Sequence, residues 1–193
     1  MMKRAILSIA AAAFAFAPSV SHAQRSHSAE SPVKFSLNAG LVMPMSDWGD
    51  AVGTGLGINA LGTKALSGSP MFLRGEVGFN YYMSKDQGGG VSTKGNQIGG
   101  AFDLGYSFPS SSTVKPYVLG GLNIHRTSLT ADLGTGGGTT SDNSGAKFGF
   151  NGGVGMRFKM GAHVAHVEGR YMNQGTWNGA SIASFPISFG VEF

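Results

Sequence analysis

Five histidines, ten carboxylates, many serines and no cysteine set the chemistry open to this 193-residue chain. Without cysteine there is no disulfide, no thiol nucleophile and no Cys-based zinc site. A serine, a histidine and an acid brought together would support nucleophilic hydrolysis. His125 with Ser128, and His163 and His166 with Glu168, are the groups to weigh. His125 and Ser128 are three apart and fall on opposite faces of a strand, as do His163 and His166. His166 and Glu168 share a face, but no serine accompanies them at matching spacing. Structural histidines are therefore expected, with no catalytic, metal or cofactor site. Gly88-Gly89-Gly90 and Gly136-Gly137-Gly138 lack the Lys-Ser/Thr that follows a phosphate loop, and read as mobile loops. Asp132, Asp142 and Asn143 match no ordered calcium-loop spacing.

The remaining charged residues fall into a pattern, because the elements that carry them alternate with period two. Phe185, Ile187, Phe189, Val191 and Phe193 oppose Ser184, Pro186, Ser188, Gly190 and Glu192. The same split of apolar against small or polar residues recurs around Phe35–Leu41, Leu73–Tyr81, Ile98–Phe108 and Phe148–Phe158. It is weaker over 52–60, 114–125 and 163–172. That makes eight strands. Their polar faces gather Arg74, Glu76, Asp103, Lys147, Arg157, Glu168, Arg170 and Glu192. In a soluble sandwich or lipocalin-like barrel those faces would meet water and carry many charges. Here they are mostly glycine, serine and asparagine, and only 12% of the chain is charged. The apolar faces are thus expected to point outward, into lipid, and the polar faces into a narrow lumen.

The connections agree. With both termini at the inner side, outer loops fall at 43–51, 83–96, 126–145 and 173–181, and inner turns at 61–70, 109–113 and 159–161. The two longest connections lie outside and the tightest inside, as in outer-membrane barrels. Phe35, Phe108, Phe158 and Phe193 would meet at the inner rim, with Tyr81, Phe148 and Tyr171 at the outer one.

The N-terminus reads as an export signal. Lys3 and Arg4 precede an apolar run from Ala5 to Ala17, and Ser21-His22-Ala23 supplies a small-residue cleavage site. The expected organisation is a signal peptide at 1–23, a short periplasmic leader at 24–32 and a barrel at 33–193. Cleavage removes two of the 14 basic groups and none of the 10 acidic ones, leaving a net charge of +2. The basic residues are scattered, so no nucleic-acid partner is expected. No stretch after the signal is long and apolar enough for a transmembrane helix.

On these residues the chain resembles the small OmpA/OmpX/OmpW-type outer-membrane barrels. The resemblance rests on the terminal strand ending in Phe193, on Val167-Glu168-Gly169-Arg170-Tyr171 one strand earlier, and on Pro116-Tyr117 followed by Gly120-Gly121. It implies an eight-stranded antiparallel up-and-down barrel in the bacterial outer membrane, monomeric, among lipid and lipopolysaccharide. It also implies that Phe189, Val191 and Phe193 form the strand read by the barrel-assembly machinery. With Phe193 last, no peptidoglycan-binding domain is expected after the barrel. Pro186 departs from the family pattern; it removes a ladder donor, and a bulge or the start of the strand is expected there. An eight-stranded lumen is only wide enough for side chains to fill it, so a plug of ion pairs is expected over a gated pore. The functional expectation is a non-enzymatic protein, structural or binding partners through 83–96 and 126–145. The alternatives are a narrow channel for small solutes and, further off, a lipid A-modifying hydrolase.

Overall fold

The computed structural model describes residues 32–110, 113–161 and 163–193. The expected signal peptide at 1–23 and residues 24–31 of the leader lie outside the described residues. The described part forms β1 (Lys34–Met45), a short helix α1 (Ser46–Ala51), β2 (Gly55–Ala65), β3 (Met71–Gly88), β4 (Val91–Ser107), β5 (Val114–Asp132), β6 (Thr139–Met160), β7 (His163–Trp177) and β8 (Ala180–Glu192). Each strand pairs antiparallel with the next, and β8 returns to β1 to close an eight-stranded barrel. Leu37 pairs with Val191 and Ala39 with Phe189, and the Phe193 N–H donates to the Phe35 carbonyl at 2.9 Å. Closure removes both sheet edges, so backbone groups find partners without water, as a bilayer requires.

The alternation orients the side chains as expected. Phe148 is 77% exposed and Leu122 71%, whereas Arg74 is 2% and Asp103 0%. A soluble protein does not present such a continuous apolar exterior around a charged interior; a lipid-facing barrel does. Aromatic residues mark the inner rim, where the Tyr106 and Phe108 rings meet at 5.3 Å and those of Phe158 and Phe189 at 6.4 Å. Toward the outer end Phe150 meets Tyr171 at 6.3 Å.

The connections are shorter than the sequence suggests. Crossing the bilayer takes about 9–11 tilted residues per strand, yet β5 has 19 and β6 has 22. Most of 83–96 and 126–145 is therefore strand, projecting outward as hairpins rather than as loops. At the first, Gly88, Gly89 and Gly90 all have positive φ, which lets the chain reverse in two residues between β3 and β4. Most of 173–181 is strand too, reversing at Asn178 and Gly179. Inside, β2 runs to Ala65, so the long turn expected at 61–70 shrinks to 66–70. Residues 46–51, expected as loop, form α1.

Pro186 sits in the middle of β8, neither at its start nor at a bulge. The β7–β8 register is the same on both sides of it, with Gly169 opposite Ile187 and Met172 opposite Ser184. The shift in this pair of strands lies between Asn173 and Thr176 instead.

Replacing Leu122, at mid-height on the lipid face, with arginine should destabilise the folded barrel by about 2–4 kcal/mol. Urea unfolding in lipid vesicles, followed by the gel shift between unheated and boiled samples in SDS, measures it.

Candidate functional site

The polar faces meet inside the barrel in stacked layers, which can be followed along β3 from Phe72 through Arg74 and Glu76 to Tyr82. In a ring of eight strands, β3 and β7 stand on opposite sides of the lumen. Each carries one arginine and one glutamate, and they pair reciprocally across it. Arg74 donates to Glu168 through Nη1 at 2.6 Å and Nη2 at 3.1 Å, while Arg170 donates to Glu76 through Nη2 at 2.6 Å. Arg170 also reaches Glu168 on its own strand, at 2.8 and 3.1 Å. Asp103, opposite Arg74 in the β3–β4 register, takes Arg74 Nη2 at 3.3 Å and lies 3.5 Å from Arg170 Nη1. Tyr117 donates its hydroxyl to Glu168 at 2.8 Å. Two arginines and three carboxylates thus form one buried network tying β3, β4, β5 and β7 together.

Of the eight charged residues predicted to share the lumen, five join this network: Arg74, Glu76, Asp103, Glu168 and Arg170. The other three do not. Arg157 has no carboxylate in ion-pair distance among the described residues; its guanidinium lies over the rings of Phe72 and Tyr117, 4.6 and 4.9 Å from their centroids. Glu192 pairs with Lys34 at 2.7 Å at the inner mouth. Lys147 stands opposite His125 in the β5–β6 register, away from the cluster, with no ion pair among the described residues.

The aromatics under Arg157 need room, and glycine provides it. Phe72 is opposite Gly105, and Tyr117 opposite Gly155; a Cβ at either glycine would collide with the facing ring.

Further out is a neutral layer that sequence reasoning missed. Gln97 and Gln174 exchange amide hydrogen bonds at 2.8 and 3.1 Å. Gln97 also donates to Thr127 at 3.1 Å and accepts from the Tyr82 hydroxyl at 2.8 Å. Above it, Trp48 of α1 packs edge-on against Tyr82, with ring centroids 5.4 Å apart, among Val42, Val52 and Ile182. An uncharged polar residue on an inward face gives no sign in sequence of the partner it meets across a barrel. Trp48 lies in a stretch without period-two alternation.

Between the mouths the lumen is crowded by these side chains. A vestibule of about 740 Å³ opens at the inner end beside Phe72, Arg157 and Lys34. Two spaces deeper in, one beside Arg74 and His166 and one beside Glu76 and His125, offer about 0 and 10 Å³. That is at most the room of one water.

Of the histidines considered for hydrolysis, His125 and His166 are lumen groups, whereas His163, at the start of β7, is exposed and falls on the other face from His166. His125 is buried with Nδ1 3.2 Å from Asn123 Oδ1, and His166 is buried beside Arg74 and Glu192. Phe189, Val191 and Phe193 lie on the lipid-facing side of β8, with Phe189 and Phe193 exposed.

An exposed apolar belt around a charged, filled interior, closed by eight antiparallel strands, defines a small outer-membrane barrel. The family model for the outer membrane protein beta-barrel domain matches residues 7–193, and the chain belongs to that family. Membership places the protein in the bacterial outer membrane. No curated protein matches the chain in sequence. Among solved structures it is similar to Neisserial surface protein A, with 22% identity, a TM-score of 0.62, and coverage of 86% of this chain and 98% of that one. It is also similar to a major outer membrane protein from Thermus thermophilus, with 17% identity, a TM-score of 0.52, and coverage of 84% and 99%. A third is Ail of Yersinia pestis, crystallised with the heparin analogue sucrose octasulfate, with 12% identity, a TM-score of 0.50, and coverage of 83% and 99%. At such identities these likenesses show a shared fold.

Replacing Glu168 with glutamine leaves two buried guanidiniums short of their shared acceptor and should cost about 3–5 kcal/mol. Lys147→Gln should change stability by less than about 0.5 kcal/mol. Urea midpoints of the two variants in the same lipid give the comparison.

Proposed function

We propose that the protein is a non-enzymatic, non-conducting outer-membrane barrel whose function resides on its outer face. The observation that supports this best is the reciprocal pairing of Arg74 with Glu168 and Arg170 with Glu76 across the full width of the lumen. With the Gln97–Gln174 layer and the Trp48 cluster beyond it, this pairing leaves no solute-sized path. Strand length beyond what the bilayer needs is spent on the outer side, in the hairpins at 83–96 and 126–145, and these are the proposed contact surface for partners. In this reading the barrel is a monomeric anchor, its apolar belt seated among membrane lipid and lipopolysaccharide. Phe189, Val191 and Phe193 present the terminal strand to the barrel-assembly machinery.

The test is conductance of the refolded barrel in a planar bilayer. The expected result is silence from protein shown to be folded by its gel shift. Discrete current steps that change in an Arg170→Ala variant would overturn the reading and make the protein a narrow channel.

A further inference from the structure

At the outer end, a cleft of about 230 Å³ lies between the β7–β8 turn, α1 and the projecting part of the β5–β6 hairpin. Its walls include Trp48, Trp177, Leu129 and Ile182. Asp47 and Asp142 also line it, and no lysine, arginine or histidine does. Asp142 is directly opposite Leu129 in the β5–β6 register, so a carboxylate and an apolar wall are side by side on one face. Each aspartate has one oxygen occupied by a backbone N–H: Ser181 to Asp47 Oδ2 at 2.7 Å, and Asn143 to Asp142 Oδ1 at 2.7 Å. The second oxygen of each has no hydrogen-bond partner among the described residues. The volume is below the roughly 300–1,000 Å³ of sites that take drug-sized ligands.

Aromatic faces attract cations, carboxylates attract them more strongly, and apolar walls take a hydrocarbon body. Two tryptophans, two aspartates and no competing cation in one small cleft select for a ligand that combines both features. We propose that this cleft binds a small organic ammonium ion with an apolar body. The cleft lies outside the cross-lumen ion-pair network; it shares Trp48 and Ile182 with the cluster above that network, and its occupancy is read by binding rather than by conductance.

Trp48 and Trp177 are the only tryptophans in the chain and both wall this cleft, so intrinsic fluorescence reports on it, Trp48 sensing the Tyr82 cluster as well. The folded barrel, in a maltoside detergent free of quaternary ammonium groups, would be titrated with phenethylammonium, neutral phenethyl alcohol and phenylacetate. The expected result is a saturable change with phenethylammonium, at a concentration at least about tenfold lower than for the alcohol, and none with phenylacetate. Asp142→Asn, an exposed substitution that leaves the fold intact by its gel shift, should weaken the ammonium several-fold and leave the alcohol unchanged. Equal binding of ammonium and alcohol would overturn the proposal, leaving an apolar crevice without charge preference. So would the absence of saturable binding by both fluorescence and calorimetry. Binding of a blocked lysine-containing tripeptide with none of phenethylammonium would also overturn it, assigning the cleft to a protein partner instead.

Discussion

Glu168 receives hydrogen bonds from Arg74 across the lumen, from Arg170 on its own strand and from Tyr117 on β5, and the interior is built around that carboxylate. In a low-dielectric interior an unpaired charge is costly, so charges deep in the barrel are stabilised by partners across its width. Reciprocal arginine–glutamate pairs on opposing strands meet that demand with two bonds of 2.6 Å spanning the diameter. The same pairs crowd the lumen at their height. One set of pairs therefore meets most of these charges and occupies the lumen at its height, leaving Asp103 Oδ1 and Arg170 Nη1 as buried atoms without a hydrogen bond.

The remaining layers follow from it. Large rings are admitted inside only where the facing residue is glycine, as Phe72 has Gly105 and Tyr117 has Gly155. Those rings in turn hold Arg157, whose charge is met by aromatic faces rather than by a carboxylate. On the lipid side the requirement is only apolarity, so Leu122, Phe148 and their neighbours lie open. Outside the bilayer neither demand applies. There the hairpins are polar, and the chain can carry a cleft such as the one between Trp48 and Trp177.

Much of this was legible in the sequence, because a barrel leaves one physical signature on every strand. The alternation from Phe185 to Phe193 gives the lipid face of β8 directly, and the same pattern placed Arg74, Glu168 and Arg170 on inward faces. Which charges would meet was not legible. Lys147 alternates inward as Arg170 does, and only its height along the barrel keeps it from the cluster. Strand ends were missed for a related reason: once a hairpin leaves the membrane, both of its faces meet water and alternation ceases to mark it, so β6 reads as loop over 139–145. The Gln97–Gln174 pair and the seat of Trp48 depend on contacts between distant strands, which local spacing does not encode.

The most direct measurement is a double-mutant cycle on Arg74 and Glu168, each replaced by leucine singly and together, with unfolding free energies taken in one lipid. If the cross-lumen pair organises the interior, each single variant strands a buried charge and the double variant relieves it. The pair should then show a coupling above about 2 kcal/mol, with the double variant less destabilised than the sum of the two singles. Additive costs would contradict this, and would mean that the two residues share the lumen without holding it together.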